Sequence, residues 1–223
     1  MRPPNSRCNV GYVTLRVWWF RNRLPGMKAG RPRDTRVDGA IAAAARELLA
    51  EQGYAQLTVD AVAARAGVGK AAIYRRHATK QEMIFAAVMH GLELETPPDA
   101  GSLAADLAAL TRDIVTNLTT PPPGVVPGLL ADVHADPAMA AAFAGTFVAA
   151  ERTCVTEVLD RAVARGELSR RPDPATVHAL LLGPIFAWLF LLLEDRDRLP
   201  ELAGTLAEGL ARSLVGAGPG ESH

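Results

Sequence analysis

Residues 57–84, LTVDAVAARAGVGKAAIYRRHATKQEMI, constrain the fold more than any other part of the chain. Two short helical patterns meet at Ala66-Gly67-Val68, and Ala63, Gly67 and Ile73 stand at intervals of four and six. That is the spacing of a helix-turn-helix. A small residue on the first helix permits a close crossing, Gly accepts the positive φ of the turn, and an aliphatic on the second helix plugs the core. In such a unit the second helix lies in the major groove with its N-terminal residues at the base edges. Gly69, Ala71 and Ala72 would keep its surface low, Lys70 and Arg75 are long enough to reach bases or phosphates, and Tyr74 offers a phenolic donor to phosphate. A helical hairpin with a solvated basic face has the same spacing, and spacing alone leaves both readings open.

The rest of the chain reads as all-α. Hydrophobic residues make up 49% and aromatics only 5%, so the core must be built from Ala, Leu and Val. Long Ala/Leu runs without period-two alternation favour helices. Ile41, Ala44, Ala45, Leu48 and Leu49 recur at helical spacing up to Gly53, a C′ residue. Thr58 caps a second helix, residues 69–77 form a third, and Thr79 with Glu82 is a capping box that opens a fourth. TPPDAG at 96–101 marks a boundary. Helices follow at about 102–119, 124–135, 137–165, 174–194 and 199–215, punctuated by Pro, Gly and Asp clusters. The expected organisation is a leader with a basic arm (1–34), a DNA-binding unit (35–95, helix-turn-helix about 58–77), a helical unit (96–216) and a disordered tail (217–223). Residues 1–26 show no sustained period, so either they are disordered or translation starts at Met27.

Zero net charge conceals an asymmetry. Residues 1–27 carry five Arg and no acid, residues 28–90 carry ten Lys/Arg against six acids, and residues 91–223 carry nine Arg against eighteen acids. The basic part is the one expected to face a polyanion. Cys8 and Cys154 form no spaced motif and fit reduced thiols in a cytoplasm. No phosphate loop, nucleophile elbow or paired Cys/His set points to an enzyme, and no cofactor motif is present.

Read whole, residues 53–84 closely resemble the DNA-binding domain of the tetracycline-repressor (TetR) family. Gly53, Tyr54, Thr58, Val59, Val62, Ala63, Ala66, Gly67, Val68, Ile73, Tyr74, Thr79 and Lys80 match its pattern. The resemblance spans about residues 36–90. It implies a homodimeric cytoplasmic regulator, usually a repressor, released from a palindromic operator by a small ligand. By the same resemblance Thr58, Lys80 and Tyr74 hold phosphates. Gly69 and Ala72 stand where the family has Ser and Thr, so two hydroxyl contacts are missing. His77 replaces a buried aromatic and is expected to be packed with some phosphate contact, while Tyr54 is read as core. The arm GRPR, with Arg31 and Arg33 spaced by Pro32, suits a narrow minor groove; an unbound tail is the alternative.

The C-terminal half resembles the ligand-binding domain of one TetR branch through residues 161–174 and the apolar run 177–193. That run holds 17 residues, with His178 and Pro184 inside it, marginal for a membrane span and better suited to a subunit interface centred near Leu189. Leu202, Leu206, Leu210 and Leu214 form a stripe on the helix at 199–215, and by the same resemblance these last two long helices pair with those of a second subunit in a four-helix bundle. Candidate walls for a small apolar effector are His134, Met139, Phe143, Phe147, Phe186 and Trp188. DVHAD (132–136) lacks a second His and a carboxylate at i+4, so no metal is expected. A helical ligand-binding or scaffolding protein with a degenerate DNA module is the alternative function, and a membrane-associated helical protein is a third.

Overall fold

The computed structural model describes residues 35–90 and 94–216, and within them every regular element is a helix. The leader, the Met27 start, Arg31 and Arg33, and the tail lie outside the described residues. The helices are α1 (Thr35–Gln56), α2 (Val59–Ala66), α3 (Lys70–Tyr74), α4 (Lys80–Met89), α5 (Leu103–Thr119), α6 (Val125–Ala135), α7 (Pro137–Phe143), α8 (Ala149–Ala164), α9 (Pro174–Phe190) and α10 (Leu199–Gly216). No described helix is long and apolar enough to cross a membrane.

Two cores form. The first buries Ile41, Leu48 and Leu49 of α1 with Val62, Ile73, Met83, Ile84 and Phe85, and it takes in Val125, Leu129 and Val133 of α6 and Met139 of α7. The expected four-helix unit thus closes on helices that follow the 96–101 boundary. The second core joins α5, α8, α9 and α10 through Leu103, Leu107, Val158, Leu159, Leu181, Ile185 and Ala207. Each large aliphatic buried here contributes roughly 1.5–3 kcal/mol relative to exposure. Along α10 the buried positions are Leu199, Ala203, Ala207 and Ala211, one per turn, whereas Leu202, Leu206, Leu210 and Leu214 are only partly buried.

Helix ends follow local chemistry. Thr58 Oγ1 accepts from Ala61 N–H at 3.1 Å, and Thr79 Oγ1 accepts from Glu82 N–H at 3.0 Å. The Glu82 carboxylate reaches back one residue further than a capping box expects, accepting from Ala78 N–H at 2.7 Å. Gly53 has φ 78° and kinks the end of α1. Two boundaries differ from expectation. The predicted 137–165 helix is interrupted by a π-helical stretch, Ala144–Val148, where Thr146 Oγ1 donates to Ala142 O at 2.6 Å. α9 stops at Phe190 rather than near 194, because Trp188 captures the chain beyond it. Its carbonyl accepts from Glu194 N–H at 3.1 Å and its indole N–H donates to Asp195 O at 2.9 Å.

A buried ionic knot anchors the segment between the cores. Asp106, fully buried, accepts from Ala100 N–H at 2.8 Å and from Arg165 Nη2 at 2.9 Å, with Arg161 Nη2 3.8 Å away. Arg161 Nη1 donates to Pro97 O at 2.9 Å, and Glu167 accepts from Leu103 N–H at 2.8 Å. Removing one partner of such a group strands the remaining charges. Asp106→Ala is therefore expected to lower unfolding free energy by about 3–5 kcal/mol, read as a drop in denaturant midpoint at unchanged slope.

Candidate nucleic-acid interface

The turn between α2 and α3 has the geometry that its residues demand. Gly67 sits in the left-handed region at φ 65°, ψ 33°, and Val68 N–H closes the end of α2 on Ala63 O at 3.0 Å. Ala63 and Ile73 are both buried in the first core, so the second helix is pinned from below. α3 is shorter than the expected 69–77. After Tyr74 the chain turns toward Thr79, with Arg76 and His77 N–H groups both donating to Ile73 O, at 2.8 and 2.9 Å.

This short helix presents a low face. Gly69, Lys70, Ala71, Tyr74 and Arg75 are exposed, Tyr74 by 53%, and Ala72 is half-buried. Thr58 lies exposed at the start of α2 and Lys80, half-buried, at the start of α4, its Nζ donating to Ala55 O at 3.5 Å. Side chain by side chain, the cations differ. Lys70 pairs with exposed Asp60 on α2. Arg76 turns away from this face: it pairs with Asp38 of α1, both side chains mostly buried, and donates to Ala72 O at 3.1 Å. Arg65 is bound to Glu47 and Glu51 of α1, and those carboxylates raise the guanidinium pKa while Arg65 holds Glu51 below the usual carboxylate value. Arg75 is left pointing outward from the C-terminus of α3. His77 is 4% exposed and packs beneath the helix.

The six candidate effector residues do not converge. Met139, Phe143 and Phe147 lie on the side of the first core, where Phe143 meets Phe85 edge-on at 6.1 Å and stacks on Phe147 at 5.4 Å. Phe186 packs on Phe190, and Trp188 lies under Arg198. His134 is exposed, its Nδ1 bonded to Leu130 O. A concavity between Thr96–Pro98 and α8 is lined by none of the six. Among the described residues no group of three or more His, Cys, Asp or Glu is placed to hold a metal.

Sequence reasoning missed two polar contacts. Glu151 of α8 and His178 of α9 form a buried pair, Oε2 to Nε2 3.0 Å. Tyr54, read as core, is half-buried and donates to Asp132 Oδ2 of α6 at 2.5 Å. Gly128 inside the α6 pattern was the available signal, since an isolated Gly in a helix often marks a close approach.

Comparisons with known proteins agree with this geometry. Residues 41–87 match "Bacterial regulatory proteins, tetR family", and residues 97–217 match "Tetracyclin repressor-like, C-terminal domain". The chain is 32% identical over 165 residues to the uncharacterized HTH-type transcriptional regulator YdeS of Bacillus subtilis, covering 74% of this chain and 83% of that protein. It is 30% identical over 141 residues to the DNA-binding transcriptional repressor TetR of Mycobacteroides abscessus, covering 62% and 74%. The solved TetR family transcription regulator SCO0332 superposes with a TM-score of 0.61 at 26% identity, over 78% of this chain and 98% of that one. Fold, helix-turn-helix and both matched regions lead to one conclusion: the chain belongs to the TetR family of DNA-binding transcriptional regulators, a family of regulators rather than enzymes.

Proposed function

We propose that this regulator is a homodimeric cytoplasmic repressor that leaves a palindromic operator when a small apolar ligand enters its C-terminal helices. The observation that carries the DNA-facing part is the low, exposed face of α3 flanked by Thr58 and Lys80. In this reading Thr58, Tyr74 and Lys80 hold phosphates and fix register, which carries no sequence information. Arg75, with Lys70 once it leaves Asp60, reads base edges, and Gly69, Ala71 and Ala72 admit the backbone into the groove. The arm residues Arg31 and Arg33 would follow the minor groove. The similarity to a relative named as a repressor favours repression.

The dimer reading rests on the outer face of α9. Leu189 is only 6% exposed within its own subunit, so it is a core residue and not the centre of an interface. The exposed stripe instead runs through Leu180, Gly183 and Leu191 beside half-buried Ala187, with Leu180 49% exposed. An apolar stripe of this kind is unusual on a monomer and suits an isologous contact with a second copy. The alternative, a helical binding or scaffolding protein with a degenerate DNA module, draws on the missing hydroxyls at Gly69 and Ala72.

Leu180→Asp should convert a dimer to a monomer in sedimentation analysis without loss of helix content; an unchanged dimer would move the interface elsewhere. Duplexes selected from a random pool, together with the chain's own upstream DNA, decide between regulator and scaffold. Binding should require paired half-sites whose centres lie about 34–36 Å apart. Lys80→Ala should weaken all duplexes alike and reduce the salt slope by about one counterion per half-site. Arg75→Ala should cost about 1–3 kcal/mol at one base position and relax preference there. Failure to select any duplex would favour the scaffold.

A further inference from the structure

Tyr54 connects the DNA-binding helices to α6 at a point built for close approach. It follows the Gly53 kink at the end of α1 and donates its hydroxyl to Asp132 Oδ2 at 2.5 Å. One turn earlier on α6, Gly128 faces the ring: a Cβ there would stand 2.6 Å from Tyr54 Cδ1 and 2.8 Å from Cγ. No larger residue fits without moving the ring or the helix. Burial, then the Asp132 carboxylate, raises the phenol pKa above its usual value, which favours the protonated, donating form. The other end of α1 grips the recognition helix, where Asp38 pairs with Arg76 and Arg76 in turn bonds Ala72 O. From Asp38 to Gln52, just before the Gly53 kink, α1 spans about 21 Å at helical rise. α1 therefore has one end on α6 and the other on α3.

We propose that Tyr54 and Asp132 are positioning residues for operator binding: their bond, seated on Gly128, fixes α1 on α6 and so holds α3 in the spacing that fits DNA. The inference rests on the DNA-binding reading above and adds the polar contact that joins α1 to α6 within the first core. Neither residue touches DNA. Coupling between sites in proteins typically changes affinity about 5–150-fold, which sets the expected scale.

The test is fluorescence-anisotropy titration of a selected duplex with the full-length wild type, Tyr54→Phe, Asp132→Asn and the double variant, each well below its melting temperature. Each single variant should bind at least about fivefold more weakly, and the double variant should be no weaker than the worse single within about twofold, because both remove one interaction. Variants that melt earlier yet bind within about twofold of wild type would assign the bond a purely structural role and overturn the proposal. Tighter binding, or losses that multiply in the double variant, would overturn it too. Should the wild type bind no selected duplex, the DNA-binding reading fails separately, and hydrogen exchange on the free protein still tests the joint. Amides of 35–56 and 125–135 should then exchange at least about fivefold faster in Tyr54→Phe, with those of 103–119 unchanged; equal protection throughout would overturn the joint itself.

Discussion

Close approach between helices is the constraint on which this structure depends. With few aromatics, its cores cannot be filled by large side chains, so backbones must come together until small ones suffice. After Leu199, the fully buried α10 positions are all alanines, Ala203, Ala207 and Ala211, and the α6 surface under Tyr54 is a glycine. Ala63 plays the same part beneath Ile73 in the helix-turn-helix. Interiors of this kind have little slack. A methyl group added at such a crossing separates whole helices, and overpacking typically costs about 1–3 kcal/mol.

Polar groups then decide where each helix ends and which cations remain available. Acids on α1 and α2 occupy Arg65, Arg76 and Lys70, so much of the positive charge near the turn serves the fold or is held by a neighbour. Exposed pairs such as Lys70–Asp60 hold weakly in water, usually by less than about 1 kcal/mol, and a phosphate backbone can compete for the lysine. The mostly buried Arg76–Asp38 pair is different in kind, because breaking it would leave a charge in the interior. The same division recurs beyond the turn. The Asp106 knot and the Glu151–His178 pair are buried among aliphatics and act on helix placement rather than on solvent.

Much of the fold was legible because its punctuation is chemical and local. Thr58, Gly67, Thr79 and the Pro-rich boundary residues each act within one turn of chain, and helix starts and stops followed from them. The helix-turn-helix was legible for the same reason, since Ala63, Gly67 and Ile73 satisfy one crossing. What escaped the sequence depends on residues far apart. Whether Arg75 or Arg76 faces outward is set by Asp38, some forty positions earlier in the chain. Leu189 and Leu180 are equally apolar in the run 177–193, and only the packing of α9 on the second core distinguishes buried from free. The six effector candidates were chosen by size and apolarity, and those properties carry no information about which cavity a side chain joins.

The π-helical stretch Ala144–Val148 has a genetic consequence. A π turn holds one residue more than the α turn it replaces, so the surplus residue is absorbed and α8 keeps the rotation about α7 that a continuous helix one residue shorter would give. Straightening that stretch into α geometry without removing a residue would rotate everything after it by about 100°. Glu151 would swing off His178, and Cys154, Val158 and Ala162 would leave the second core together. Descendants of this gene should therefore lose one codon across 144–148, which removes the surplus and keeps the register, far more readily than gain one.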